Sequence, residues 1–164
     1  SRSMAILPEP TVLQIADGIL MAELGHLCIA IWRKDSTMER FAVQKAALTS
    51  VVSRHKGKAG FLCVVEESSG VPNDAVRDAS SKLFRSLEGD LRAIAMIIEG
   101  TGFRSALVRS VASGIVMLMG KRSMPISYAS NIAEGLAFLG KHIEIKDALA
   151  TARVVETLRV KLAA

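Results

Sequence analysis

Leu27-Cys28-Ile29-Ala30-Ile31-Trp32 is a six-residue run with no charged position. It is too short for a buried helix and reads as a strand covered on both faces. Three further apolar runs follow, Phe61–Val65, Leu91–Ile98 and Ile126–Ala129, with Arg92 the one charge among them. Between them lie amphipathic stretches of helical length. Strands that alternate with helical stretches predict a largely parallel sheet with crossover helices. Upstream, Thr11–Ile15 and Ile19–Leu24 read as strands joined at Asp17-Gly18, an antiparallel hairpin signal. Whether Leu24 and Leu27 belong to one bent strand or to two, the pattern leaves open. We therefore expect an α/β domain with a mixed, mostly parallel sheet of four to six strands, an N-terminal antiparallel hairpin, crossover helices and an extra C-terminal helix.

The helical stretches carry their own punctuation. Ser36-Thr37-Met38-Glu39 has capping-box spacing, and the helix after it turns Phe41, Leu48, Val51 and Val52 to one side. Pro72 opens a second helix, with Val76, Ala79, Leu83 and Leu87 as its stripe. Gly100-Thr101-Gly102 leads into a third, whose expected stripe is Phe103, Leu107, Val111, Ile115 and Leu118, ending at Gly120. Ser130 or Asn131 caps a short fourth helix carrying Ile132, Leu136 and Leu139. Beyond Gly140, Ile145, Leu149, Ala152, Val155 and Leu158 recur at helical spacing. No strand follows this last helix, so its stripe lands on the domain or on a second chain. The organisation is thus an extension over 1–10, one domain over 11–140 and a C-terminal helix over 141–164.

Composition narrows the function classes. Half of the 164 residues are apolar and 23% are charged, a globular balance, while aromatics are only 4%. The core must be aliphatic, and stacking platforms for single-stranded nucleic acid are scarce. The net charge is +5, with a pI near 9.5. The basic residues are spread rather than blocked, and we expect no nucleic-acid partner. Ser1-Arg2-Ser3 before Met4, and Lys161 to Ala164, read as vector remnants; without Arg2 and Lys161, 21 basic residues become 19 against 16 acidic, a charge of +3. Cys28 and Cys63 sit inside strand-like runs and read as buried thiols, with a disulfide open only to neighbouring strands of suitable geometry. With no signal peptide and no apolar run of about 20 residues, we expect a cytoplasmic protein without a transmembrane segment.

No catalytic signature stands on this frame. His26, His55 and His142 lie near element ends, and no G-x-S-x-G elbow occurs. The Gly100 turn lacks the third glycine of a dinucleotide fingerprint and the Gly-Lys-Ser/Thr of a Walker loop. We expect no catalytic residue, metal or cofactor. Trp32 reads either as a cap on the core or as one wall of a pocket at the strand's carboxyl end.

The element order resembles that of the STAS superfamily, the anti-sigma-factor antagonists, and in particular the SpoIIAA-like proteins. Glu67-Ser68-Ser69-Gly70 follows the central strand where those antagonists carry Asp-Ser-Ser-Gly, and Ser130-Asn131-Ile132-Ala133-Glu134-Gly135-Leu136-Ala137-Phe138-Leu139 is similar to their closing helix. The resemblance implies a non-enzymatic regulatory or protein-interaction domain, with Ser68 or Ser69 as a phosphorylation site and an unidentified protein partner. Beside two glutamates a phosphate would disturb a docked interface by charge. A second reading is a binder of a small ligand, a lipid or an anion, in the aliphatic interior. Gly100, Thr101, Gly102 and Arg104 would then form an anion-receptive helix entrance. A third role falls to the C-terminal stripe of Ile145, Leu149, Ala152, Val155 and Leu158 as an interaction helix, with a homodimer as one outcome.

Overall fold

The computed structural model describes residues 9–119 and 124–163, with Arg104 described by its backbone alone. The sheet has six strands in the order of the chain, β1 (Thr11–Ala16), β2 (Ile19–Leu24), β3 (Leu27–Trp32), β4 (Ala59–Val65), β5 (Leu91–Ile98) and β6 (Ile126–Ala129). β1, β2 and β3 pair antiparallel; β3 through β6 pair parallel. The architecture is the expected α/β class, and Leu24 and Leu27 belong to two strands. Gly18 makes the first hairpin possible. Its φ is +82°, and a Cβ there would collide with the Lys34 side chain.

Five helices complete the fold, α1 (Met38–Arg54), α2 (Asp74–Ser86), α3 (Phe103–Leu118), α4 (Ile132–Leu139) and α5 (Ala148–Lys161). The three crossovers all advance in one direction along the sheet, so α1, α2 and α3 share one face. Cys28, Ala30, Trp32, Phe61, Cys63 and Ile94 meet Phe41, Val52, Phe84 and Ile115 there. α4 and α5 fold back over the opposite face. Leu20, Ile29, Leu62 and Ile97 are buried there against Leu136, Leu139, Val155 and Leu158. Both faces of β3 are thus covered, which is why its sequence shows no polar alternation.

Several local expectations shift. The cap of α1 is Thr37 rather than Ser36, its hydroxyl accepting from the Arg40 amide at 3.2 Å. Asn73, not Pro72, caps α2, and Pro72 stands one residue before it. Asn131 caps α4. The expected end of α3 at Gly120 lies outside the described residues, as does residues 1–8 of the extension. Lys161 closes α5 and Leu162 is buried, so these residues belong to the packed structure.

The α3 stripe is the largest correction. Phe103, Leu107 and Leu118 are exposed, Val111 is half-buried, and only Ile115 of the expected set is buried. The buried side is Ser105, Val108, Ala112, Ile115 and Met119. Steps of four residues advance about 40° each around a helix and drift off one face, whereas alternating steps of three and four stay on it. Small residues on the inner side bring the helix close. The Ser81 hydroxyl donates to the Ile115 carbonyl at 3.0 Å, and the Tyr128 hydroxyl to the Ala112 carbonyl at 2.9 Å.

α5 packs on its own domain. Val155 and Leu158 are fully buried, joined by Ala150, Thr151 and Val154, while Leu149 is 64% exposed and Ile145 and Ala152 are half-buried. Val155 and Leu158 of the stripe proposed as an interaction surface are therefore consumed inside the chain, while Leu149 stays at the surface. Cys28 and Cys63 lie on neighbouring strands, but Cys28 faces Phe61 and Cys63 faces Ala30. That two-residue offset leaves both as free thiols.

Candidate functional site

Trp32, Val65 and Ile98 stand in register on three adjacent parallel strands. The next residue on each strand is charged: Arg33, Glu66 and Glu99. The three side chains meet at the carboxyl edge of the sheet, where α5 delivers Arg159. Arg33 Nε donates to Glu66 Oε1 at 2.6 Å and Nη2 to Oε2 at 3.1 Å. Arg159 Nη1 donates to Glu66 Oε2 and to Glu99 Oε1, each at 2.8 Å. Arg33 also donates to the main-chain carbonyls of Arg159 and Leu162. Burial alone pushes the Glu66 carboxyl up, but the hydrogen bonds from Arg33 and Arg159 outweigh it and hold it below the usual carboxylate range. Burial likewise opposes the charge on Arg159, and the bonds to Glu99 and Glu66 overcome it. Every charge in this quartet already has a counter-charge, so it is a clamp on α5 rather than an acid–base pair. None of its members was singled out in the sequence. The available signal was a charged residue directly after each of three apolar runs.

The Ser68-Ser69 loop rests on the same edge. The Ser68 hydroxyl donates to the Arg33 carbonyl at 2.6 Å and the Ser69 hydroxyl to the Lys34 carbonyl at 2.9 Å. Together they fasten the β4–α2 loop to the β3–α1 loop. Ser68 is exposed, whereas Ser69 is only 1% exposed. Of the two, only Ser68 offers its hydroxyl to a modifying enzyme without local opening. Both serines precede α2 by several residues and lie outside its first turn.

Gly100 and Gly102 each adopt φ +95°, and Gly102 caps α3 without a side-chain hydrogen bond. The Glu67 side chain already occupies the neighbourhood of this turn. A Cβ on Gly100 would lie 2.6 Å from Glu67 Cγ, 2.7 Å from its Cδ and 2.8 Å from Ser105 Oγ. A carboxylate there opposes entry of a second anion, which corrects the expectation of an anion site at Gly100, Thr101 and Gly102. Thr101 is exposed. The Arg104 side chain lies outside the described residues. Arg109 turns back to donate to the Ile98 carbonyl at 3.1 Å.

Two further features bear on function. The outer face of α3 exposes Phe103 by 80%, Met117 by 78%, Leu118 by 50% and Leu107 by 40%. Beneath the inner face of α3 lies a cavity of about 60 Å³, bounded by Trp32, Gln44 and Cys63 among mostly apolar neighbours. Trp32 is 4% exposed and its indole N–H donates to Gln44 Oε1 at 2.8 Å, so it serves both as core and as cavity wall.

The histidines stand apart from the carboxyl edge. His55 Nε2 meets Glu23 Oε2 at 2.7 Å and its ring lies tilted against that of His26, while His142 lies beside Phe138. Among the described residues no three His, Cys, Asp or Glu side chains cluster as a metal site, and no helix is long and apolar enough to cross a membrane. In comparisons with known proteins, no family model, no curated protein and no solved structure matches this chain.

Proposed function

We propose that this chain is a non-enzymatic protein-interaction domain of STAS-like type, docking through the outer face of α3. The observation that carries the reading is the apolar side of that helix. Phe103, Ala106, Leu107, Ser110, Gly114, Met117 and Leu118 form one stripe without a charge. Four of them are large apolar side chains left 40–80% exposed. A contiguous apolar helix face of this kind marks a site of association rather than a solvated surface.

The occupant we commit to is a second copy of the chain. In an antiparallel pairing of two α3 helices about a twofold axis, Leu107 faces Gly114 and Phe103 faces Leu118. Nothing lies within 4 Å of a Cβ built on Gly114, so that position is an open notch for a leucine. An uncharged stripe also lets two molecules of net charge +5 approach without like charges in the contact. Ser68 supplies the regulatory element of this reading. It neighbours Glu67, whose side chain touches Gly100 at the entrance to α3, and a phosphate there adds about two negative charges beside the docking face.

Sedimentation velocity over a concentration series tests the proposal. The expected result is a reversible dimer in the micromolar range for the unmodified chain. Leu107→Glu should sediment as a monomer at every concentration, with its urea midpoint unchanged because Leu107 contributes little to the core. A strictly monomeric parent chain, or a Leu107→Glu variant that still dimerises, overturns it. Ser68→Asp is expected to weaken the dimer several-fold while leaving the fold intact, read from the same series.

A further inference from the structure

Met117 is 78% exposed, more than any other methionine among the described residues. Met21, Met119 and Met124 are buried and Met96 is half-buried. Met38 opens α1, is 44% exposed and stands outside the α3 stripe. A thioether has no proton to lose, so its reaction with an oxidant follows exposure rather than pH. The two thiols do not compete, because both are buried and burial keeps them protonated. Met117 also has a defined place in the docking stripe. Phe103 and Met117 are its two most exposed large side chains, and they lie at opposite ends of α3. An antiparallel partner reverses the ends. In the pairing that sets Phe103 against Leu118, Met117 comes to lie beside Phe103 and Ala106 of the second copy, a sulfur–aromatic contact made twice about the twofold axis. Ser110, the one polar side chain of the stripe, stands two helical turns from either residue of that contact.

We infer that Met117 is a reversible oxidation site that controls docking through α3, with hydrogen peroxide as the oxidant, a role that rests on the α3 pairing proposed above. The thioether sulfur attacks one peroxide oxygen. The S–O bond forms as the O–O bond breaks, and the other oxygen leaves as water with both peroxide protons. Sulfur loses two electrons and peroxide gains them, so the chain supplies nothing else. The product sulfoxide is a polar acceptor where an apolar thioether stood. In the monomer, water satisfies that oxygen. In the pairing it would face Phe103 and Ala106 with no donor, and its desolvation opposes association. The coupling is reciprocal: docking covers Met117 and slows its oxidation, and oxidation holds the chain as a monomer. Peroxide therefore acts on the monomeric fraction. A thiol-dependent methionine sulfoxide reductase reverses the step, the oxygen leaving as water while two thiols become a disulfide.

The test treats the intact chain with hydrogen peroxide and reads it in two ways. Peptide mass spectrometry follows each methionine with time at several chain concentrations. Met117 is expected to oxidise ahead of Met38 in dilute solution, and to slow as the concentration rises through the dimer range while Met38 keeps one rate. Sedimentation velocity then compares the chain before and after peroxide. Oxidation should weaken the dimer about tenfold per oxidised copy, hence about a hundredfold for the pair, and the reductase with dithiothreitol should restore it. Met38→Leu should dimerise like the parent and lose the dimer to peroxide in the same way. Met117→Leu, whatever its own affinity, should sediment identically before and after treatment. A parent chain that is monomeric without peroxide overturns the α3 pairing and this role with it. A parent that dimerises but keeps its dimer with Met117 fully oxidised overturns this role alone. So does a Met117 oxidation rate that ignores dimer formation, or a peroxide effect that persists in Met117→Leu.

Discussion

Arg159 holds two carboxylates, Glu66 and Glu99, that leave different strands. Its side chain is 15% exposed and that of Glu66 13%, so removing it strands partly buried charge. Arg159→Met is expected to cost about 2 kcal/mol at pH 7, below the 3–5 kcal/mol of a fully buried pair because water still reaches the site. The pH dependence follows from Glu66. Its native pKa lies below the ordinary 4.5, so its contribution to stability is complete above that value and disappears as pH falls through the lower native one. Urea unfolding should therefore show the parent chain losing stability below about pH 4.5, with the gap between parent and Arg159→Met narrowing over the same interval. A gap independent of pH would show that Arg159 acts through packing alone. The quartet could not be foreseen from residue types, since Arg159 lies 93 positions from Glu66 and meets it only because α5 returns across the sheet. The sequence singled out the serine loop, but its division into an exposed Ser68 and a buried Ser69 required the β3–α1 loop to be in place.

Among the elements, the helices tell most about what spacing can and cannot fix. α1, α2 and α4 bury the apolar positions expected of them, Leu48 and Val52, Val76 and Leu83, Leu136 and Leu139. α1 and α2 have a polar majority elsewhere that leaves one choice of face, whereas α4 has Glu134 as its one charged residue and sits with Gly135 against Ile97. α3 has apolar residues nearly all round, so periodicity offered two faces. The choice was made by the narrow space against β5 and α2, which admits Ser105 and Ala112 and rejects Phe103. The same distinction between open and filled surroundings gives one substitution opposite signs in two helices. Gly114→Ala meets open space and should stabilise the monomer by about 0.5–1 kcal/mol through helix propensity and unfolded-state entropy. Gly135→Ala drives a methyl into Ile97 and toward Leu62 at 3.4 Å. It should destabilise by about 1–2 kcal/mol net of the same gain. Thermal melts of both variants, run dilute enough to keep the chain monomeric, check the pair. A stabilised Gly135→Ala would mean that α4 is not seated on β5 as closely as described.

At the scale of the molecule, the alternation of strands with crossover helices was readable because the strand runs are almost wholly apolar and each intervening segment is long enough to cross over. The placement of α4 and α5 was not, because nothing in an isolated amphipathic helix says which of two sheet faces it will cover. The outcome is a central β3–β4 pair sealed on both sides, and its two thiols report that seal. Burial pushes the Cys63 thiol from 9.0 up to about 12 and the Cys28 thiol higher still. At pH 8 neither supplies appreciable thiolate in the folded chain, and both lie on adjacent strands of one core. A bulky anionic aromatic disulfide reagent, too large for the cavity beside Cys63, should therefore react only through opening of the whole sheet. Both thiols are expected to react with a single rate constant in the limit where reclosing is fast. That rate should rise with urea along the slope of global unfolding. Fast labelling of Cys63 alone in native buffer would place a local opening between the Ser36 and Pro72 loops. Urea-independent labelling of both would mean that the two helical layers do not close over the sheet as a cooperative unit.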